Sequence, residues 1–298
     1  MSNEVTGFLT IIVTMGPAIT IITVVKDDID GLKATAMSIL SQKYLNFQWL
    51  IVDGYSSDGS WQYAQELESH SFVTPLQSPP TGIYGAMNIG AKKSSTTWIW
   101  FINAGDKLLA DDSLGKIASI ASMSSEKSII ATPVVYLTPT DHFFSLSIPK
   151  VVETHLGNYA IFHHQGCLLN RVIFNQTGGF DQNLKLAADG KLLDSMISIA
   201  PPIVASIVVV GFEMGGATSK NFWRSLKEIR LYRPQSLTTQ DMIIYQLKEV
   251  FRAAFLLGLW TPFGRSILDS YIERREKTVI SKAKLIGLDL AEKSRSDG

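Results

Sequence analysis

Cysteine occurs once in the 298 residues, at Cys167. A lone thiol excludes an intramolecular disulfide framework and a cysteine-rich zinc site, and it suits a reducing compartment, so a cytoplasmic protein is expected. Net charge is absent too: 27 basic and 27 acidic residues cancel. That balance removes the usual ground for non-specific nucleic-acid binding. No G-x-G-x-x-G follows the first strand-like run, and there is no G-x-x-x-x-G-K-[ST]. A dinucleotide dehydrogenase and a P-loop NTPase are therefore disfavoured. Charge is missing between Glu4 and Lys26, a stretch long enough to raise a membrane span or signal peptide. Glu4 stands where a signal peptide is basic, Gly16-Pro17 interrupts the run, and the Ile/Thr/Val pattern of Ile19–Val25 favours strand over helix. Residues 1–18 read as a short apolar extension.

What is present supports a large core, since 46% of the residues are hydrophobic. Residues 1–219 hold 12 basic and 18 acidic groups, whereas 220–298 hold 15 and 9. A basic tail after an acidic body points to an anionic surface as the tail's partner. Ile19–Val25 has the continuous apolar character of a central parallel strand, and Asp30 is placed to cap the helix that follows. Further strands are predicted at Phe47–Val52, Phe72–Leu76 and Trp98–Ile102, with helices at Ser60–Ser69 and Ile83–Lys93. The alternation predicts an α/β fold with a mainly parallel central sheet flanked by helices, binding its ligand at the carboxyl ends of the strands. Beyond Ser128 the alternation loosens into strands at Ser128–Tyr136 and Ile203–Gly211.

Asp53 and Asp106 both fall at strand carboxyl ends. The first suits a hydrogen bond to a nucleobase or ribose, and the second a divalent cation beside a diphosphate. For either aspartate alone a cap or turn role would serve, but their joint placement favours function. Asp58 and Asp181 read as turn residues. Five blocks then carry a resemblance: Ile19 to Asp28, Trp49-Leu50-Ile51-Val52-Asp53-Gly54 on to Ser60, Gly82 to Gly90, Trp100 to Asp106, and Gly178-Gly179-Phe180-Asp181 with Ala187-Ala188-Asp189. In this order and spacing, over about residues 19–219, they resemble the inverting family 2 glycosyltransferases of the GT-A fold, bacterial surface-polysaccharide type.

The resemblance implies transfer from a nucleotide sugar, usually a UDP-sugar, with Mg²⁺ or Mn²⁺. It implies nucleotide contacts from Thr23, Val25, Asp27, Asp53, Tyr84, Asn88 and Asn103, a metal ligand in Asp106, and a general base in Asp189. Residues 19–106 would form the nucleotide-binding half and 107–219 the acceptor-binding half. The implied acceptor is an undecaprenyl-diphosphate-linked saccharide in O-antigen (lipopolysaccharide), capsule or exopolysaccharide assembly. Ala104 and Gly105 stand where many members carry acids, so the metal motif keeps one carboxylate. Lys26-Asp27 replaces a common aromatic-Asn pair, and Ala188 replaces a glutamate before the base.

His163 and His164 would point to opposite faces of a strand, so both can hardly bind one ion. Two readings stand for this segment: an acceptor contact through His164 and Gln165, or hydrogen-bonding histidines at the site floor. Asp189 could also serve the dipole of a helix over Gly190–Ile199. Gly215–Ser219 reads as a loop over the diphosphate or a plain turn. The helical tail 220–298, with Phe222, Leu226 and Ile229 on one face and an apolar Met242–Trp260 segment, reads either as packed on the body or in a homodimer, or as a peripheral membrane contact at the inner face. A sugar-nucleotide nucleotidyltransferase and an inactive nucleotide-sugar-binding scaffold are the rival functions.

Overall fold

Seven consecutive residues, Ile19 to Val25, are all buried and form β1, the strand around which the fold is laid. The computed structural model describes residues 18–79, 81–138, 141–154, 157–213, 221–233, 265–285 and 289–290. Residues 1–17, Gly215–Ser219 and Met242–Trp260, for which the sequence carries expectations, lie outside the described residues. After β1 come α1 (Ile29–Leu40), β2 (Phe47–Asp53), α2 (Ser60–Glu66) with a 3-10 turn Leu67–Ser69, β3 (Val73–Gln77), α3 (Ile83–Lys93) and β4 (Trp98–Phe101). The chain continues through β5 (Lys107–Leu108), α4 (Ser113–Ser122), β6 (Ile129–Ala131), β7 (Val134–Leu137), β8 (Phe143–Ser147), β9 (Lys150–Thr154) and β10 (Gly157–Ile161). A 3-10 turn, His164–Gly166, leads to β11 (Cys167–Asn170), α5 (Arg171–Gln176), α6 (Ala188–Ile199), β12 (Ile203–Val204), β13 (Ile207–Val208) and β14 (Val210–Glu213). The described tail has α7 (Phe222–Tyr232), α8 (Arg265–Leu285) and β15 (Asp289–Leu290).

The main sheet runs β12-β6-β11-β4-β1-β2-β3. Only β11 is reversed, pairing antiparallel with both β4 and β6. Successive β1 side chains alternate between two cores. Ile19, Ile21 and Val25 join the core with Trp49, Trp98 and Trp100, while Ile22 and Val24 join the one with Met87, Phe101 and Phe174. A strand covered on both faces must satisfy its hydroxyls internally. Thr23 does so by donating to the Ile102 carbonyl at 2.6 Å and accepting from Trp49 Nε1 at 2.9 Å. Helix α3 crosses closely, because a Cβ at Gly90 would lie 2.5 Å from Ile22 Cγ2.

The structure differs from the sequence reading at three elements. The cap of α1 is Asp28, whose Oδ1 accepts from Gly31 N at 3.0 Å, and Asp30 sits in the first turn. The strand expected over Ser128–Tyr136 breaks at Thr132-Pro133 into β6 and β7, which enter different sheets; proline has no N–H for the ladder. Ile203–Gly211 becomes three short strands, pairing with β6, β15 and β7. An apolar run reports burial and does not name its partner. A second sheet runs β5-β14-β7-β8. Among the described residues, no helix is long and apolar enough to cross a membrane.

Candidate active site

Asp53 closes β2 and is fully buried. Its Oδ2 accepts from Ser56 N at 3.0 Å, and its Oδ1 is buried with no protein partner. A buried acceptor left open is suited to a ligand N–H or O–H. The rim around it is tied by hydrogen bonds. Asp27, at φ 50°, donates from its backbone N to Ser56 Oγ and accepts at Oδ1 from Ser57 N at 2.7 Å. The Ser57 N–H holds the Asp27 carboxyl below the usual range. Asp58 accepts from Ile29 N at 2.8 Å and from Ser60 Oγ at 2.6 Å, a loop-fixing role that matches its reading as a turn residue.

The loop after β4 brings in Asn103 and Asp106. Gly105, at φ 92°, makes the turn that lets Asp106 Oδ2 accept from Asn103 N at 2.9 Å. Thr35 of α1 pins this loop, donating to the Asp106 carbonyl at 2.7 Å and accepting from Gly105 N at 3.0 Å. Burial pushes the Asp106 carboxyl up to about 7, with the His164 charge and the Asn103 N–H pulling the other way. Among the described residues, no three His, Cys, Asp or Glu side chains gather to hold a metal. One carboxylate is nonetheless what a Mg²⁺-type ion carried on a diphosphate asks of a protein. The donor set fits such a substrate-borne cation and does not fit a resident one.

Across the site, Asp189 stands in the first turn of α6. Its Oδ1 accepts from Tyr84 OH at 3.2 Å, and its Oδ2 lies 3.3 Å from His164 Nδ1. Burial alone would raise this carboxyl, but the hydrogen bond and charge of His164, the Gly190 N–H and Tyr84 outweigh it and hold the group below its ordinary value. Burial likewise opposes charge on His164, yet Asp189 and Asp106 raise its pKa on balance. Its other nitrogen, Nε2, lies 3.3 Å from Asn103 Nδ2. Asn103 Oδ1 is buried and unpartnered, so a half-turn of the amide would present an acceptor to a protonated imidazole. The two acids are thus linked in the order Asp189, His164, Asn103, Asp106.

Other expected site residues are placed differently. Thr23 and Val25 turn into the core, 0% and 5% exposed, so their side chains do not line the site. Asn88 uses its Nδ2 on the Phe180 carbonyl and its Oδ1 on the Phe180 N–H, both at 2.9 Å, bracing the loop after α5. Gln165 contributes its carbonyl to Trp100 Nε1 at 2.7 Å, and its side chain is half-buried. His163 faces away from His164 and lies 3.0 Å from Tyr136 OH through Nε2. Asp181 is held by Lys191 Nζ at 2.7 Å and by Asn183, again a turn role. Sequence reasoning missed Thr35, Ser56 and Glu228, whose Oε2 accepts from the N–H groups of Lys185, Leu186 and Ala187. A signal for Glu228 existed: it is the one acid in a helix with Arg224, Lys227 and Arg230.

Asp53 and Asp106 thus lie at the carboxyl ends of β2 and β4, where open α/β sheets bind ligands, and Asp189 is linked by hydrogen bonds to the Asp106 loop. Residues 20–179 match the model of glycosyl transferase family 2, and the chain belongs to that family. It is a glycosyltransferase. An uncharacterised glycosyltransferase of Mycobacterium tuberculosis is 24% identical over 69% of this chain and 79% of its own. A PGL/p-HBAD biosynthesis glycosyltransferase of Mycobacterium bovis is 24% identical over 53% of this chain and 61% of its own. Among solved structures, S. aureus TarS 1–349 is 13% identical with a TM-score of 0.55, covering 81% of this chain and 72% of that one. TarS has also been crystallised with UDP and with UDP-GlcNAc. A mannosyltransferase from Pyrobaculum calidifontis, in complex with GDP-Man and Mn²⁺, is 13% identical with a TM-score of 0.58, covering 92% of this chain and 86% of that one. These likenesses confirm the GT-A fold.

Proposed function

We propose that the chain transfers a sugar from a nucleoside-diphosphate sugar, by preference a UDP-sugar, to a hydroxyl of a lipid-linked saccharide with inversion, in assembly of a bacterial surface polysaccharide. One observation carries this reading: Asp189 is half-buried, its carboxyl held below its ordinary value between Tyr84 and His164, and it is linked through Asn103 to the loop that bears Asp106. The nucleotides bound by TarS and by the mannosyltransferase support a nucleotide-sugar donor. The basic tail supports an acceptor anchored in an anionic membrane surface.

Asp53 Oδ1 accepts from the base or ribose of the donor, and the Asp27-Ser56-Ser57 rim fixes that end. Asp106 would hold a Mg²⁺ or Mn²⁺ ion brought with the donor, and that ion would supply positive charge to offset the charge on the departing nucleotide. Asp189 takes the proton of the acceptor hydroxyl as its oxygen bonds to the anomeric carbon. The bond to the diphosphate breaks with its electron pair on the nucleotide, and displacement from the opposite face inverts the carbon. Asp189→Asn keeps the size and loses the base, so turnover should fall by about 10²–10⁴-fold, while UDP affinity by calorimetry stays near the wild-type value. Wild-type turnover in that variant, or a product that retains the donor's configuration, would refute the assignment.

A further inference from the structure

Glu228 is 8% exposed, on a helix the sequence assigned to a separate tail. A carboxylate stays buried only when its charge is met by hydrogen bonds. Here one oxygen receives three consecutive backbone N–H groups, from Lys185, Leu186 and Ala187, at 2.9, 2.8 and 3.2 Å. The other lies 3.3 Å from Arg224 Nε. These N–H groups precede α6, whose N-cap Ala187 has no side-chain cap of its own. Glu228 therefore supplies from another helix the anion that a helix start favours. The first turn that it secures carries Asp189.

Helix α7 grips α6 at two further levels. A Cβ at Gly190, next to Asp189, would lie 2.4 Å from the Tyr232 hydroxyl oxygen, so the Tyr232 ring sits directly on that turn. Just past the end of α7, Arg233 pairs with Asp194 through two nitrogens and donates from Nη2 to the Ala160 carbonyl at 2.9 Å. Contacts before, at and beyond Asp189 fix both the height and the rotation of α6. The base needs both, because its oxygens meet Tyr84 and His164 from two different elements at 3.2 and 3.3 Å.

We propose that α7 is the brace of the base-bearing helix and that Glu228 is a positioning residue for Asp189. This rests on the reading of Asp189 as the base. The contacts named for α7 and Arg233, at Lys185 to Ala187, Gly190, Asp194 and Ala160, all fall outside β1 to β4. The test uses the full chain as wild type, Glu228→Gln, Asp189→Asn and the double variant. Turnover is read as nucleotide released from a panel of UDP- and GDP-sugars with a polyprenyl-diphosphate-linked saccharide as acceptor. Misplacing a catalytic group by about 1 Å costs on the order of 10²-fold. Glu228→Gln should therefore lower kcat by about 10–100-fold with the donor KM unchanged, and amides of residues 185–190 should exchange faster while those of β1 and β2 do not. In the Asp189→Asn background it should lower the residual turnover no further. Unchanged kcat in Glu228→Gln, or an equal fold-loss in both backgrounds, would overturn the brace. Full activity in Asp189→Asn would instead remove the base reading beneath it. Should Glu228→Gln fold poorly, Gly190→Ala displaces Tyr232 from the same turn; the same kcat loss supports the brace, and wild-type kcat refutes it.

Discussion

Two adjacent histidines should titrate in opposite directions, and the effect of His163 on stability can be worked out. Its ring lies edge-on to Tyr136 at 5.5 Å between centroids and tilted against Phe212 at 5.6 Å. Burial, with the neighbouring His164 charge adding to it, pushes its pKa from 6.5 down to about 4, against a smaller pull from Asp189. Nε2 lies 3.0 Å from the Tyr136 hydroxyl, which the neutral ring can accept from in its Nδ1–H tautomer. Between pH 6.5 and 4 the unfolded chain binds the proton and the folded one does not, so stability falls as the pH falls through that window. The full difference is worth about 3 kcal/mol, of which about 2.5 kcal/mol is expressed by roughly pH 4.5. His163→Gln keeps an acceptor for Tyr136 and cannot be protonated. Urea unfolding of both proteins from pH 7.5 to 4.5 should show the wild type losing about 2.5 kcal/mol relative to the variant. The Asp189 titration is common to both and cancels. Parallel curves, or an imidazole NMR resonance of His163 that titrates at or above the ordinary value, would refute the reasoning.

Asp106→Asn should fold and should lose the additional thermal stabilisation that Mn²⁺ gives with UDP; an unchanged Mn²⁺ response would remove Asp106 as the cation's holder. Gly90→Ala should cost about 1–3 kcal/mol by urea midpoint, because its methyl would press on Ile22 and Val52; a variant as stable as wild type would contradict the close crossing of α3. The basic tail should favour anionic vesicles in flotation, with high salt weakening the effect. The proper comparison is a chain ending after Arg233, which keeps the Glu228 grip, and equal flotation of the two would defeat the idea.

The first half of the fold was legible because its signals are local. Buried runs such as Phe47–Val52 and Trp98–Phe101 declare themselves by composition, and Asp53 and Asp106 are found because they lie at, or in the loop just past, the ends of those runs. Pairing partners are not local. Nothing in Ile203–Glu213 states that successive residues join three different sheets. The same applies to side chains whose duty lies far along the chain: Thr35 meets Asp106 across 71 residues, Asn88 meets Phe180 across 92, and Glu228 meets Ala187 across 41. The division drawn after residue 219 left packing on the body as one of its readings of this helix, but charge and composition alone did not single out Glu228 as the residue that makes the contact. The resemblance implied a nucleotide contact from Thr23, and the strand commits its side-chain hydroxyl to the Ile102 carbonyl and Trp49.

The acids of the site are tuned apart, and the direction of each suits the role proposed for it. Burial pushes Asp106 up to about 7, so in the proposed mechanism a cation bound beside it would favour its ionised form. Asp189 is held ionised by Tyr84 and His164, which makes it ready to accept a proton but weakens it as a base. A weak base suffices if the proton leaves late: as the acceptor oxygen bonds to the anomeric carbon its hydrogen becomes strongly acidic, and the transfer is downhill to any carboxylate within reach. Under that condition the rate depends on where the carboxylate stands more than on how basic it is. A site that trades basicity for placement has to secure the placement, and the first turn of α6 is secured by Tyr84 and His164 on the substrate side and by Glu228 and Tyr232 behind it.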